Sequence, residues 1–303
     1  MAPPVAPSST SICSEAVQQA GFAVGTAQYT ANLTRAQNEW IEQVKNDIFT
    51  YEKQLSSLMV NTVQVTTQGK SLTSFPADFS SVRQMTLLDG GTTGLAQAGT
   101  LNSITLTALD AGTANGYMGK EILIYAGTAL GQISQIVAFN TTTKLATVSP
   151  AFTVAPAAGD SYMIVDNYFD LNTLPVDDYD DYSTATMPGT PNSYAPVGDS
   201  GMGSYYLFPT PSRSSNIPWG VRIRYFSDLT LLDTTGTTMN TIYRRWRNLL
   251  TQGVFAKCLQ SFDDSRQAAE SDKYYKLLAA VCQREKYGAE VPADVQFAVQ
   301  RRR

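Results

Sequence analysis

Apolar side chains recur at three- and four-residue steps through Leu33, Ala36, Trp40, Val44, Ile48, Tyr51, Leu55 and Leu58, with Arg35, Glu39, Glu42, Lys45, Asp47 and Glu52 between them. One apolar stripe on an otherwise charged cylinder marks an amphipathic helix with a single buried face. The stripe predicts a helix of about 30 residues, N-capped by Thr30 and about 45 Å long at ~1.5 Å of rise per residue. A shorter helix is expected over residues 11–20, with Ser11 or Thr10 as its cap and Gly21 as its stop. The same period returns near the other end of the chain. Ile242, Trp246, Leu249, Leu250 and Phe255 share a face behind Thr238 or Asn240 as cap, and Ala268, Tyr274, Leu277, Leu278 and Val281 share another over residues 264–287, stopped by Gly288. Each stripe needs a partner surface, so the helices of the two ends are expected to pack on one another.

Between them the period falls to two. β-branched residues over 60–67, the turn Gln68-Gly69-Lys70 and a second run over 71–75 predict a hairpin. Pro76-Ala77-Asp78-Phe79 reads as a turn, since proline presets φ and Asp78 can bond nearby backbone. A further strand follows over 82–88. From about residue 90 to 165 charges become sparse while Thr, Ala and Gly abound. Strands are expected over 103–106, 121–125, 131–139, 144–148 and 161–164, which together predict a small β-barrel or sandwich inserted into the main domain. Residues 168–171, 205–208 and 221–226 are expected to return the chain to the main sheet, with a loop over 183–204.

The fold class is therefore α+β: a helical bundle formed by the N- and C-terminal helices, a small antiparallel sheet and the inserted β-module. The expected parts are a flexible arm over 1–10, a core over 11–92 and 166–290, the module over 93–165 and a docking tail over 291–303, which is expected to stay extended until a partner orders it.

Composition narrows the function. Hydrophobic residues make up 43% and charged residues 16% of the 303, below the usual quarter of charged residues, as suits a β-rich protein with large subunit contacts. A net charge of −4 and a pI near 4.9 disfavour a protein that grips nucleic acid, because phosphate neutralisation supplies most of such affinity. An acidic wall can still surround DNA without holding it. Histidine is absent, which removes the commonest general base near neutral pH and every Ser-His-Asp or Cys-His constellation. Cys13, Cys258 and Cys282 are odd in number and far apart, so buried reduced thiols are expected rather than a disulfide framework or zinc site. The first residues lack a basic and then apolar signal pattern, and no stretch approaches the ~18 apolar residues of a membrane span, so a soluble protein is expected.

Three motifs bear on possible chemistry. Asp177-Asp178-Tyr179-Asp180-Asp181 lacks the alternating carboxylates of a calcium loop and reads as a solvated acidic loop. Paired carboxylates able to run glycosidase chemistry arise by chance among 26 acidic residues. Gly198-Asp199-Ser200-Gly201-Met202-Gly203 has the wrong order for a dinucleotide loop. No catalytic, cofactor-binding or metal-binding residue is assigned. The candidate partner-binding residues are the basic run Arg244, Arg245 and Arg247 around Trp246, and the terminal Arg301, Arg302 and Arg303. For the first, the plainer reading has Trp246 packed inward and the arginines solvated; for the second, a solubility tail.

Taken in order, several segments resemble the head-to-tail adaptor (connector) proteins of short-tailed phages. The residues that carry the likeness are 40–55, the hairpin after them, and Phe75-Pro76-Ala77-Asp78-Phe79-Ser80-Ser81-Val82; then Tyr205-Tyr206-Leu207-Phe208-Pro209-Thr210-Pro211 before Val221-Arg222-Ile223-Arg224-Tyr225. Asp263-Asp264 and Arg284-Glu285 fit the close, and Arg284 joins the candidate partner-binding set. Gly119-Lys120-Glu121-Ile122-Leu123-Ile124, Gly131-Gln132, Phe139-Asn140 and Val148-Ser149-Pro150 are similar to a β-module of phage tail and connector proteins. The resemblance implies a structural virion protein of the tail or neck, assembled in the host cytoplasm into a ring, usually of twelve copies. It implies docking to the portal ring by the C-terminal segment, to a tail nozzle protein on the opposite face and, as a further candidate, to a tail fibre. Double-stranded DNA would pass through without specific binding, and no cofactor or membrane is involved. The alternative is a tail-associated binding protein whose module recognises a fibre or host carbohydrate; a depolymerase is disfavoured by the missing histidine.

Overall fold

The computed structural model describes residues 8–52, 54–110, 112–175, 187–197, 203–214, 217–229 and 245–287. The chain divides into two compact units. One is made of Met1–Met59, Ala77–Ser81 and Phe226–Arg303, the other of Val60–Pro76 and Val82–Tyr225.

The first unit is helical. Helix α1 (Ser9–Gln19) starts earlier than expected because Ser8, not Ser11, is its cap. The Ser11 amide bonds the Ser8 hydroxyl at 3.2 Å, and the Ser8 amide bonds the Ser11 hydroxyl at 3.0 Å, a reciprocal box that satisfies two otherwise orphaned donors. The helix closes where Gly21 takes φ +102° and the Gly21 and Phe22 amides reach back to the Gln18 and Val17 carbonyls.

The long helix differs from expectation at both ends. It comprises α2 (Ala27–Arg35), a π-helical turn over Ala36–Trp40 and α3 (Ile41–Tyr51), with Thr26 rather than Thr30 as cap. The chain turns extended at Glu52 (φ −152°), so Leu55 and Leu58 lie outside the helix, the latter in a short 3-10 turn over Ser56–Leu58. Both leucines are nevertheless buried, while Tyr51 is exposed. Their spacing reports burial rather than helix; past the helix end the Ser57 amide and the hydroxyls of Ser56 and Ser57 bond the Glu285 carboxylate.

Helices α4 (Arg247–Ser261) and α5 (Gln267–Tyr287) supply the other half of the core. Ile12, Cys13 and Val17 of α1, Trp40 of the π-turn, Ile41, Val44 and Ile48 of α3, Leu249, Leu250, Val254 and Phe255 of α4, and Tyr274, Leu278 and Cys282 of α5 form one apolar cluster. The two ends of the chain thus share a core. The cap residues Thr238 and Asn240, Ile242 and Gly288 lie outside the described residues. Ala268 is exposed rather than inward: six residues before Tyr274, it stands about 240° around the helix from it.

The strands belong to the second unit except for Met59, Phe79–Ser81, Phe226 and Ser227 at the ends of three of them: β1 (Met59–Val65), β2 (Leu72–Ser74), β3 (Phe79–Asp89), β4 (Thr92–Leu95), β5 (Ala98–Thr100), β6 (Ser103–Thr105), β7 (Glu121–Ala126), β8 (Ile133–Asn140), β9 (Leu145–Ser149), β10 (Ser161–Val165), β11 (Asn167–Asp170), β12 (Asn172–Thr173), β13 (Pro188–Gly189), β14 (Ser193–Val197), β15 (Ser204–Phe208), β16 (Thr210–Pro211) and β17 (Gly220–Ser227). β1 and β2 do not make the expected hairpin. β1 lies in the sheet β1-β17-β3-β11 and β2 in the sheet β12-β14-β15-β2. The turn between them is tied instead to the end of β16 and the residue after it, Gly69 N–H to the Pro211 carbonyl at 2.8 Å and Gln68 Nε2 to the Ser212 carbonyl at 3.1 Å, and the two strands pair with different partners.

Strands β6 to β10 lie within about two residues of their expected places. They form, with β4 and β5, one sheet in the order β4-β10-β7-β8-β9-β6-β5. Of the small β-barrel or sandwich expected, the barrel is not formed: among the described residues no sheet closes into a barrel, and the module is one seven-stranded sheet. Its buried cluster includes Ile104, Leu106, Ile122, Ile124, Ile136, Phe139, Val148, Phe152, Tyr162 and Ile164. The loop before β10 is pinned by the buried Asp160 carboxylate, which accepts from the amides of Thr128, Ala129 and Ala157 at 2.9, 3.2 and 3.0 Å and from the Thr128 hydroxyl. These donors outweigh burial and hold the Asp160 carboxyl below its ordinary range.

Candidate partner-binding site

In the helical unit the basic run and the end of α5 meet at one carboxylate. Glu285 is buried, although it is acidic, because it continues the buried stripe Tyr274, Leu278, Cys282 at helical spacing. Its Oε2 accepts from the Ser56 hydroxyl at 2.8 Å, the Ser57 amide at 3.2 Å and the Ser57 hydroxyl. Arg245 donates to the Ser57 hydroxyl at 2.8 Å and stands 3.7 Å from the carboxylate. Burial alone would raise the Glu285 carboxyl; the serine hydrogen bonds and the Arg245 charge outweigh it and hold the group below the usual carboxylate range.

Trp246, buried in the core, separates two arginines that are each about half exposed, Arg245 at 52% and Arg247 at 52% of their side-chain surface. Arg247 pairs with Glu15 of α1 at 2.8 Å. This is the plainer arrangement expected of the run, tryptophan inward and arginines in solvent, with the guanidinium groups also tying helices together. Arg284, next to Glu285, is exposed. The structure therefore brings Arg245 to the Glu285 anchor, with Arg284 exposed one position before it on α5, while Arg244, Arg301, Arg302 and Arg303 lie outside the described residues, as do residues 177–181 and 198–202. Sequence reasoning missed Ser56, Ser57 and the anchoring role of Glu285. An acidic residue falling on an apolar stripe was the available signal.

The β-unit contains a second feature, an open cleft of ≈ 900 Å³ between β4 and the segment from Thr107 to Tyr117. At its wall the buried Asp110 accepts from the Tyr117 hydroxyl at 2.7 Å and the Gly112 amide at 2.8 Å, and from the Tyr162 hydroxyl at 3.3 Å. Burial, reinforced by Asp110, pushes the Tyr117 hydroxyl up to about 12. A carboxylate so engaged is a strut rather than a general base.

Nucleophilic chemistry finds no foothold in the thiols. Cys13, Cys258 and Cys282 are all free and buried, and burial pushes them up to about 12, 11 and 12, far from the thiolate character a reactive cysteine needs. Among the described residues no group of His, Cys, Asp or Glu is placed to hold a metal ion, and no helix is long and apolar enough to cross a membrane.

A family model described as SU10 adaptor protein matches residues 128–296, more than half of the chain. The match opens in the turn between β7 and β8 and runs through both α4 and α5, so it takes in part of the charge-poor module as well as the helices that carry the arginine cluster. No curated protein matches the chain. Matched over more than half its length, the chain belongs to the SU10 adaptor family, a family of phage structural adaptor proteins.

Proposed function

We propose that the chain is a head-to-tail adaptor: copies of it close into a ring, twelve in the expected case, that joins the portal ring to the tail nozzle in the neck of a virion. The observation that carries this reading is the family match across residues 128–296. The shared core of the N- and C-terminal helices supports it, because a bundle formed from both ends gives each subunit a stiff wedge on which heterologous contacts can close a ring. The net charge of −4 suits a channel through which double-stranded DNA slides without being held.

Docking to the portal falls to residues 291–303, whose Arg301, Arg302 and Arg303 can pair with acidic groups of the partner, and to Arg284, Arg244, Arg245 and Arg247. Ordering of the segment and binding are then one event. Sedimentation and negative-stain imaging of the chain mixed with its portal test the assignment: a ring-on-ring complex is expected, lost when the chain is truncated after Gly288. No complex, together with no effect of the truncation, refutes it.

A further inference from the structure

Between positions 90 and 165 the charged residues are Asp110, Lys120, Glu121, Lys144 and Asp160, and each is engaged inside the chain. Asp110 holds the Tyr117 hydroxyl and the Gly112 amide, and Asp160 holds the Thr128, Ala129 and Ala157 amides. Lys120 pairs with Asp166 at 2.6 Å, Glu121 pairs with Arg222, and Lys144 donates to the Asp110 carbonyl at 2.6 Å. The module thus offers a partner apolar groups, hydroxyls and amides, but no uncommitted charge.

Three of its loops form an apolar tip. Leu130 in the turn after β7, Leu101 in the turn between β5 and β6, and Val154 in the segment between β9 and β10 stand 58, 49 and 49% exposed. Residues 99–102, 127–132 and 150–159 carry no charge. The loops are braced into one surface. The Gln132 side chain accepts from the Thr153 and Val154 amides at 2.6 and 3.0 Å and donates to the Val154 carbonyl at 3.0 Å, while the Phe152 amide donates to the Leu101 carbonyl at 2.7 Å. Bracing of this kind lowers the ordering cost of binding. Large apolar side chains held together in water, with no charge among them, mark a contact surface.

Leu130 follows β7; the ≈ 900 Å³ cleft opens beside the start of that strand, where Tyr117, Lys120 and the 91% exposed Leu109 line it. We propose that the tip formed by Leu101, Leu130 and Val154 of one copy seats in this cleft of a second copy, against Leu109. One chain then supplies both halves of the contact. Because the halves are different surfaces, the contact is heterologous and repeats from copy to copy. Charge favours this occupant. Two chains of net charge −4 repel one another, and tip and cleft let them meet without burying an unpaired charge. The contact rests on the self-association of the proposed function and needs neither portal nor nozzle.

The test uses two full-length chains of different tag size, one carrying Leu130→Cys and the other Leu109→Cys, mixed and gently oxidised; the native thiols are buried. A mixed disulfide-linked dimer is expected at least about tenfold above a mixture of Leu130→Cys with Lys276→Cys, an exposed site on α5, because docking raises the local concentration of the pair. Leu101→Asp and Val154→Asp, added to the Leu130→Cys chain, should abolish the excess while its urea midpoint stays unchanged. A mixed dimer no more abundant than the control, or one that survives both aspartates, overturns the proposal. Sedimentation of the unmodified chain separates the two readings. Assembly without the cross-link defeats the tip contact and leaves the ring, a cross-link without assembly keeps the contact and defeats the ring, and neither defeats both.

Discussion

Glu285 shows how one side chain can join segments more than 200 residues apart. Its carboxylate organises Ser56, Ser57 and Arg245, so neutralising it removes a charge-assisted hydrogen-bond centre from a buried site. Glu285→Gln is expected to cost about 1–3 kcal/mol of stability, read as a lower urea midpoint at unchanged slope. The pH dependence follows from the direction of the shift. A carboxyl held below its unfolded value stabilises the fold at pH above ~4.3, the unfolded glutamate value, and that contribution disappears as the pH falls through the lower folded value. The native chain should therefore lose stability on acidification below about pH 4, and Glu285→Gln should lose less over the same interval. An identical acid slope in both proteins would show that the anchor does not titrate with folding. The residue was visible in the sequence as an acidic position on the α5 stripe; its partners were not, because nothing local to Ser56 and Ser57 announces a carboxylate more than 200 positions away.

At the scale of elements, the packing of α4 is set by Gly253. A Cβ there would stand 2.8 Å from the Tyr274 ring of α5 and 2.8 Å from both methyl groups of Val44 of α3. The helices approach so closely only because the position has no side chain. Gly253→Val is expected to destabilise the protein by about 1–3 kcal/mol through overpacking, measured by thermal or urea unfolding, whereas a Val at the exposed Ala268 should leave it nearly unchanged. Most elements were legible because their period was clear: the strands of the module stand within a residue or two of expectation, and so does α5 apart from its first turn. The misreadings share a cause. Leu55 and Leu58 extend the stripe in sequence but not the helix, and β1 and β2 look like a hairpin but pair with β17 and β15, strands far along the chain. Local pattern registers that a residue is buried and cannot register by which neighbour.

At the scale of the whole molecule, both ends of the chain contribute to one helical core, and the three thiols lie within it. Global unfolding is therefore the event that exposes Cys13, Cys258 and Cys282. Thiol labelling with a disulfide reagent at neutral pH is expected to be negligible in the native protein and to rise for all three in step with loss of helical signal in denaturant. Labelling of any one thiol well before that transition would reveal a separate opening of its helix.

The sequence by itself determined the composition of the parts: where the chain is helical and where it is extended, which stripes are buried, the charge-poor stretch, and the exclusion of histidine chemistry. These follow from period and side-chain chemistry, which are properties of neighbours along the chain. Only the tertiary structure decided that the module is one seven-stranded sheet, that two adjacent strands belong to different sheets, and that a glutamate near the C-terminal end holds two serines near the N-terminal end. Those outcomes depend on pairings between distant residues, whose closing entropy is offset by contacts and hydrogen bonds that exist only once the chain has folded.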